Sequence, residues 1–205
     1  MNSESSRSYR KKLITNGLIY INGEEREIAV SNISMTGVLI GLIDVSDTDS
    51  DFNDSLIATI IDFYLPQLRL AGTAEIVRIT KEDAQFSFAL QFKEISYNID
   101  SLLYKRKVYR KNLSVSGRIL LNSEYYYFRT INVSVEGLMI RLEETVVIAE
   151  GMITSFEFKD LSLKGEVKVV WLDFDADGKT LVGLKYINMN TDQIKGIPRF
   201  YIETD

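Results

Sequence analysis

Apolar residues along this chain recur in short runs, many of them alternating with polar positions and each broken by turn residues. A period of two predicts strands rather than helices. In the first half the runs fall at 18–21, 27–31, 37–43, 58–64, 68–79 and 86–92. In the second half they fall at 116–121, 125–132, 137–143, 153–158, 162–172 and 180–186. Asn22-Gly23, Asn122-Ser123 and Asp177-Gly178 cue tight turns between them. About six short antiparallel strands per hundred residues predict a small closed barrel in each half, because closure removes exposed sheet edges. Two helices are expected beside them. One, at 100–104 and its flanks, joins the barrels; the other is capped by Asn190, Thr191 or Asp192 and ends near Gly196-Ile197-Pro198.

The two halves are copies. Sliding residues 9–42 onto 109–142 needs no gap and gives 13 identities in 34 positions, where roughly two would arise by chance. Tyr9-Arg10-Lys11 recurs as Tyr109-Arg110-Lys111, and Asn32-Ile33-Ser34-Met35-Thr36-Gly37 recurs as Asn132-Val133-Ser134-Val135-Glu136-Gly137. Later matches, such as 68–72 with 161–165, have an offset of 93 rather than 100, so the first copy carries about seven extra residues, assigned to the acidic stretch 44–55. The expected fold is all-β, two tandem six-stranded antiparallel barrels at 1–96 and 97–205, with a short helical or flexible linker and a short C-terminal helix.

Composition narrows the chemistry. With no Cys there is no disulfide framework and no thiolate metal site. With no His the commonest general base and metal ligand are missing, and the usual triads with them. The reading is therefore not an enzyme, with no catalytic residue and no metal site. No apolar run reaches the roughly 20 residues of a membrane helix, and residues 1–12 do not resemble a secretory signal. A cytoplasmic protein without membrane insertion is expected. Residues 1–100 carry 9 Lys and Arg against 15 Asp and Glu, and residues 101–205 carry 15 against 14. Acidity overall argues against binding a nucleic acid polymer; the second half is the better host for an anionic ligand.

Lys105-Arg106-Lys107-Val108-Tyr109-Arg110-Lys111 places five cations in seven residues. Read alone, such a run is a solvated surface. Arg106 and Arg110 are four apart, however, and thus share a side of the segment whether it is helical or extended. Arg offers bidentate donors to phosphate or to the guanine edge and can also stack on a base. Asn132 and Ser134 flank Val133 and by alternation share a strand face, offering an amide and a hydroxyl side by side. Gly137 would permit close backbone approach. Taken alone, Asn-x-Ser-x-x-Gly is ordinary turn chemistry.

The joint pattern, Arg-x-x-x-Arg followed after about twenty residues by Asn-x-Ser-x-x-Gly at the front of a six-stranded barrel, resembles the PilZ family of bacterial cyclic di-GMP receptors. The resemblance covers 105–188 strongly and 6–95 more weakly. It implies that Arg106 and Arg110 clamp the phosphates and guanine faces, that Asn132 and Ser134 hydrogen-bond the ligand, and that Gly137 shapes the turn, with Lys105 and Lys107 as secondary contacts. It leaves open one ligand molecule or two, since the residue before the first Arg, here Lys105, influences that number. The first copy keeps Arg10, Asn32, Ser34 and Gly37 but has Ser6 in place of the first Arg, with Arg7 as a displaced substitute; it reads as a degenerate site.

The functional expectation is a cyclic di-GMP receptor and effector, with no other cofactor. A mobile Arg106–Arg110 segment would be drawn onto the barrel by the ligand, resetting the arrangement of the barrels and so controlling an unidentified protein partner in motility, biofilm formation or secretion. The alternative is a PilZ-fold scaffold or interaction protein that needs no nucleotide, and homodimerisation is left open. The segment 173–178 matches the first six positions of an EF-hand-like loop but has Leu184 where the twelfth ligand belongs, so a hairpin turn is expected there. The acidic stretch 47–51 reads as a solvated loop.

Overall fold

The computed structural model describes residues 11–43, 52–82, 85–97, 108–158, 163–189 and 194–201. These form two compact units, the second comprising Val108–Tyr201. The first unit contains β1 (Lys11–Ile21), β2 (Glu24–Ile33), β3 (Gly37–Leu42), β4 (Ile60–Leu65), β5 (Leu70–Glu82) and β6 (Gln85–Tyr97). They pair in the order β1-β2-β3-β6-β5-β4, and the barrel closes where Leu18, Ile19 and Tyr20 of β1 face Tyr64, Phe63 and Asp62 of β4.

The second unit contains β7 (Lys111–Asn112), β8 (Ser116–Leu121), β9 (Glu124–Val133), β10 (Gly137–Leu142), β11 (Ile153–Phe158), β12 (Leu163–Phe174) and β13 (Thr180–Ile187). Six of these close as β8-β9-β10-β13-β12-β11, and β7 adds to β9. Lys111 and Asn112 of β7 face Val133 and Asn132, just as Lys11 and Lys12 of β1 face Ile33 and Asn32. One strand of the first copy has thus become two in the second.

Alternation puts the apolar residues inside. Leu138, Ile140 and Leu142 of β10 point inward, as do Val38, Ile40 and Leu42 of β3. Each barrel has its own core, the first built around Phe63 and Phe88 and the second around Phe128, Phe156 and Phe158. All-β architecture and paired six-stranded barrels are therefore as the sequence predicts. The length difference between the copies lies between Leu42 and Ile60, where 17 residues stand against ten between Leu142 and Ile153.

Three details differ from the pattern-based expectation. β1 starts at Lys11 rather than at 18, because its first residues are mostly polar and carry no alternating signal. β5 starts at Leu70 because Pro66–Leu68 forms a turn of 3-10 helix, closed by Arg69 at positive φ. No helix occupies 194–201: the chain turns at Gly196, whose φ is +78°, and buries Ile194, Ile197 and Phe200 instead. The expected linker helix at 100–104 and the expected caps at 190–192 lie outside the described residues. Among the described residues no helix is long and apolar enough to cross a membrane.

Candidate ligand site on the second barrel

The repeated Asn-x-Ser-x-x-Gly is the β9–β10 hairpin, and its counterpart is the β2–β3 hairpin. In each, the register slips by one residue just before the Asn: Ile140 faces Thr130 while Met139 faces Asn132, and Ile40 faces Val30 while Leu39 faces Asn32. The bulged residues, Ile131 and Ser31, switch the face on which the following side chains emerge. Asn132 consequently lies outward although Val133 is buried.

Ser134 does not join Asn132 on that face. It is 1% exposed, and its Oγ donates to the Gly137 carbonyl at 3.1 Å while accepting from the Glu136 and Gly137 amides at 3.3 and 3.2 Å. The expectation of amide and hydroxyl side by side is corrected here, because the turn folds back over the hydroxyl. Ser34 makes the same 3.1 Å bond to the Gly37 carbonyl. The two glycines also have a structural reason. A Cβ on Gly137 would collide with the Leu184 carbonyl of β13, and one on Gly37 with the Leu90 carbonyl of β6. The close backbone approach that Gly137 allows is that of the neighbouring strand.

Arg110 is positioned by what precedes and follows it. Val108 bridges Tyr201, the Tyr109 amide donates to the Phe200 carbonyl at 2.9 Å, and the Tyr109 ring lies 5.5 Å from that of Phe200. Val108 and Tyr109 are both buried, so Arg110 leaves a fixed point and runs directly into β7. Its Nη1 donates to Asn132 Oδ1 at 3.4 Å, and Asn132 Nδ2 lies 3.7 Å from the Met139 sulfur. The predicted pair Arg110 and Asn132 is thus brought together, on an anchored rather than a loose segment. Arg106, Lys105 and Lys107 lie outside the described residues, as do Arg7 and Arg10.

The row of cross-strand partners through Asn132 continues to Met139, Gly183 and Trp171. Directly opposed residues share a face, and the Trp171 indole lies over Gly183, where any Cβ would strike it. Lys185, exposed, stands opposite Gly137. No local pattern of residues marks this row, because the bulge beside Val170 sets the register of Trp171.

The acidic segment 173–178 is a hairpin end. Asp175 Oδ1 accepts from the Asp177 and Lys179 amides at 2.9 Å each, and Gly178 has φ +75°. Arg141 reaches Asp175 Oδ2 at 2.5 Å and Asp177 Oδ2 at 3.0 Å. Partial burial pushes the Asp175 carboxyl up, but the Lys179 amide and the Arg141 guanidinium outweigh it and hold it below the ordinary value. These carboxylates are committed to the fold.

Residues 104–203 match the family model described as PilZ domain. The second barrel is a PilZ domain. Its family match begins just ahead of the arginine pair and ends past the C-terminal segment that pins Tyr109. Among curated proteins none matches the chain. Among solved structures the chain is similar to YcgR of Escherichia coli in complex with c-di-GMP, at 14% identity, covering 88% of this chain and 80% of that one with a TM-score of 0.37. It is similar to the Bacillus subtilis inhibitor of motility MotI/DgrA at 16% identity, covering 87% and 90% with a TM-score of 0.39. It is also similar to the MrkH–c-di-GMP complex of K. pneumonia at 11% identity, covering 88% and 83% with a TM-score of 0.39. Likenesses this loose define no shared activity for the chain around its PilZ domain.

Proposed function

We propose that the PilZ domain is a receptor for cyclic di-GMP and that the protein acts as a non-enzymatic effector. The observation that carries this reading is the hydrogen bond from Arg110 to Asn132, which joins the two halves of the family motif on one outer face of the barrel. Arg110 and Arg106 would meet the phosphates and the guanine edges, the geometry for which a guanidinium fork is suited. Asn132 contributes an amide, while Ser134 and Gly137 hold the turn that presents it. Because Arg110 springs from a buried anchor, ligand binding acts on the chain ahead of it, residues 105–107, and through them on a protein partner in motility, biofilm formation or secretion. Isothermal titration of the full chain with cyclic di-GMP tests this. Arg110→Ala is expected to weaken binding by roughly a hundredfold, the loss of a bidentate charge-assisted contact. Unchanged affinity in that variant would overturn the assignment, and no heat in the wild-type chain would favour a nucleotide-independent scaffold.

A further inference from the structure

The first barrel has an outward pocket of about 590 Å³, lined by Asn32, Thr36, Leu39, Val77, Arg78 and Gln91 among others. It lies on the row equivalent to that of Asn132 and Trp171. Asn32 faces Leu39, Leu39 faces Ala89, and Ala89 faces Arg78. The bulge before Arg78 leaves Val77 turned out, as the bulge before Trp171 does for Val170. The copies therefore share a backbone here and differ in what covers it. In the second barrel an indole lies over a glycine; in the first an arginine stands opposite Ala89.

The first copy has not simply lost its chemistry. In sequence it has Ser6 where the second copy has Arg106, and Arg78 where the second copy has Trp171. No described residue pairs with the Arg78 guanidinium. Glu75, the carboxylate facing Gln91, is neutralised by Lys93 at 2.5 Å. The pocket thus offers one guanidinium without a partner among the described residues, two carboxamides and an apolar wall of Leu39 and Val77, in a half of the chain that is otherwise acidic. Its volume falls in the range of small-molecule sites. A guanidinium fork can take a phosphate bidentately, carboxamides read base edges, and apolar side chains cover a base face.

We infer that this pocket is a second ligand site, one that takes a phosphorylated purine nucleotide with phosphate on Arg78 and the base against Leu39 and Val77, read by Asn32 and Gln91. The site is independent of the Arg110 site. The test is amide chemical-shift titration of the full chain with GMP, cyclic di-GMP and inorganic phosphate, in the wild type and in Arg78→Gln and Arg110→Ala variants. Arg78 is exposed, so its replacement leaves the barrel folded, which the unliganded spectrum verifies. The expected result is that GMP or cyclic di-GMP moves the amides of Leu39, Ala89 and Gln91, that Arg78→Gln weakens this roughly tenfold or more, and that Arg110→Ala leaves it unchanged. The inference is overturned if neither nucleotide moves those amides at millimolar concentration, if Arg78→Gln binds like the wild type, or if phosphate alone binds as tightly as either nucleotide.

Discussion

Tyr186 carries a hydroxyl into a core where no described residue hydrogen-bonds it. Its ring stacks on Phe156 at 5.7 Å, in the place where the first barrel stacks Phe92 on Phe63 at 5.1 Å. The apolar body of the residue is used in both copies; the polar tip is extra in the second. Burial raises the phenol above its ordinary 10.0, so the fold favours the neutral form. Stability from this residue is complete below 10.0 and is lost as pH rises from there toward the raised value. Tyr186→Phe should leave stability at neutral pH unchanged or higher by about 1 kcal/mol. Denaturant unfolding of both proteins at neutral pH and at about pH 11, above the ordinary phenol value, is expected to show the wild type losing more than the variant. Equal losses would mean that water or another group solvates the hydroxyl.

At the scale of elements, the β9–β10 hairpin separates what the sequence discloses from what it conceals. The strands, their pairing into barrels and the position of the repeated motif follow from alternation, turn residues and self-similarity, all local signals. The role of Ser134 does not. Alternation assigns it to the face of Asn132, and only the three-residue turn shows its hydroxyl committed to Gly137. Glycine at 137 looks like a residue for turning, yet it is required by a carbonyl nearly fifty residues away in sequence, on β13. Gly137→Ala should therefore destabilise the second barrel by about 3 kcal/mol, as overpacking against backbone does. Thermal unfolding measures this, and a change within 0.5 kcal/mol, the range of an ordinary surface substitution, would show that β13 can move away. The Asn132 row was illegible for the same reason: each bulge adds a residue to one strand and resets which side chains meet.

At the scale of the molecule, duplication followed by divergence explains both the sameness of the barrels and their different outer faces. The second copy has arginine at both motif positions and an indole on its wall; the first has serine at one motif position and an arginine at residue 78. The second copy also depends on a segment after its last strand. Phe200 is fully buried against Tyr109. Phe200→Ala is expected to cost about 3–5 kcal/mol, and the milder Phe200→Leu to keep the fold while weakening cyclic di-GMP binding, because Tyr109 no longer fixes the start of Arg110. Calorimetry and ligand titration on the same pair of variants separate the two effects. Full affinity in a folded Phe200→Leu protein would show that Arg110 needs no anchor.

The bridge between Val108 and Tyr201 has a further consequence. It sets the first and last residues of the second unit beside each other, so the unit occupies no length between its two ends. A domain whose ends meet can be spliced into a surface loop of an unrelated host without stretching either. Joined in this way, it would carry its arginine anchor with it, since both chains of the clasp lie inside the transplanted piece.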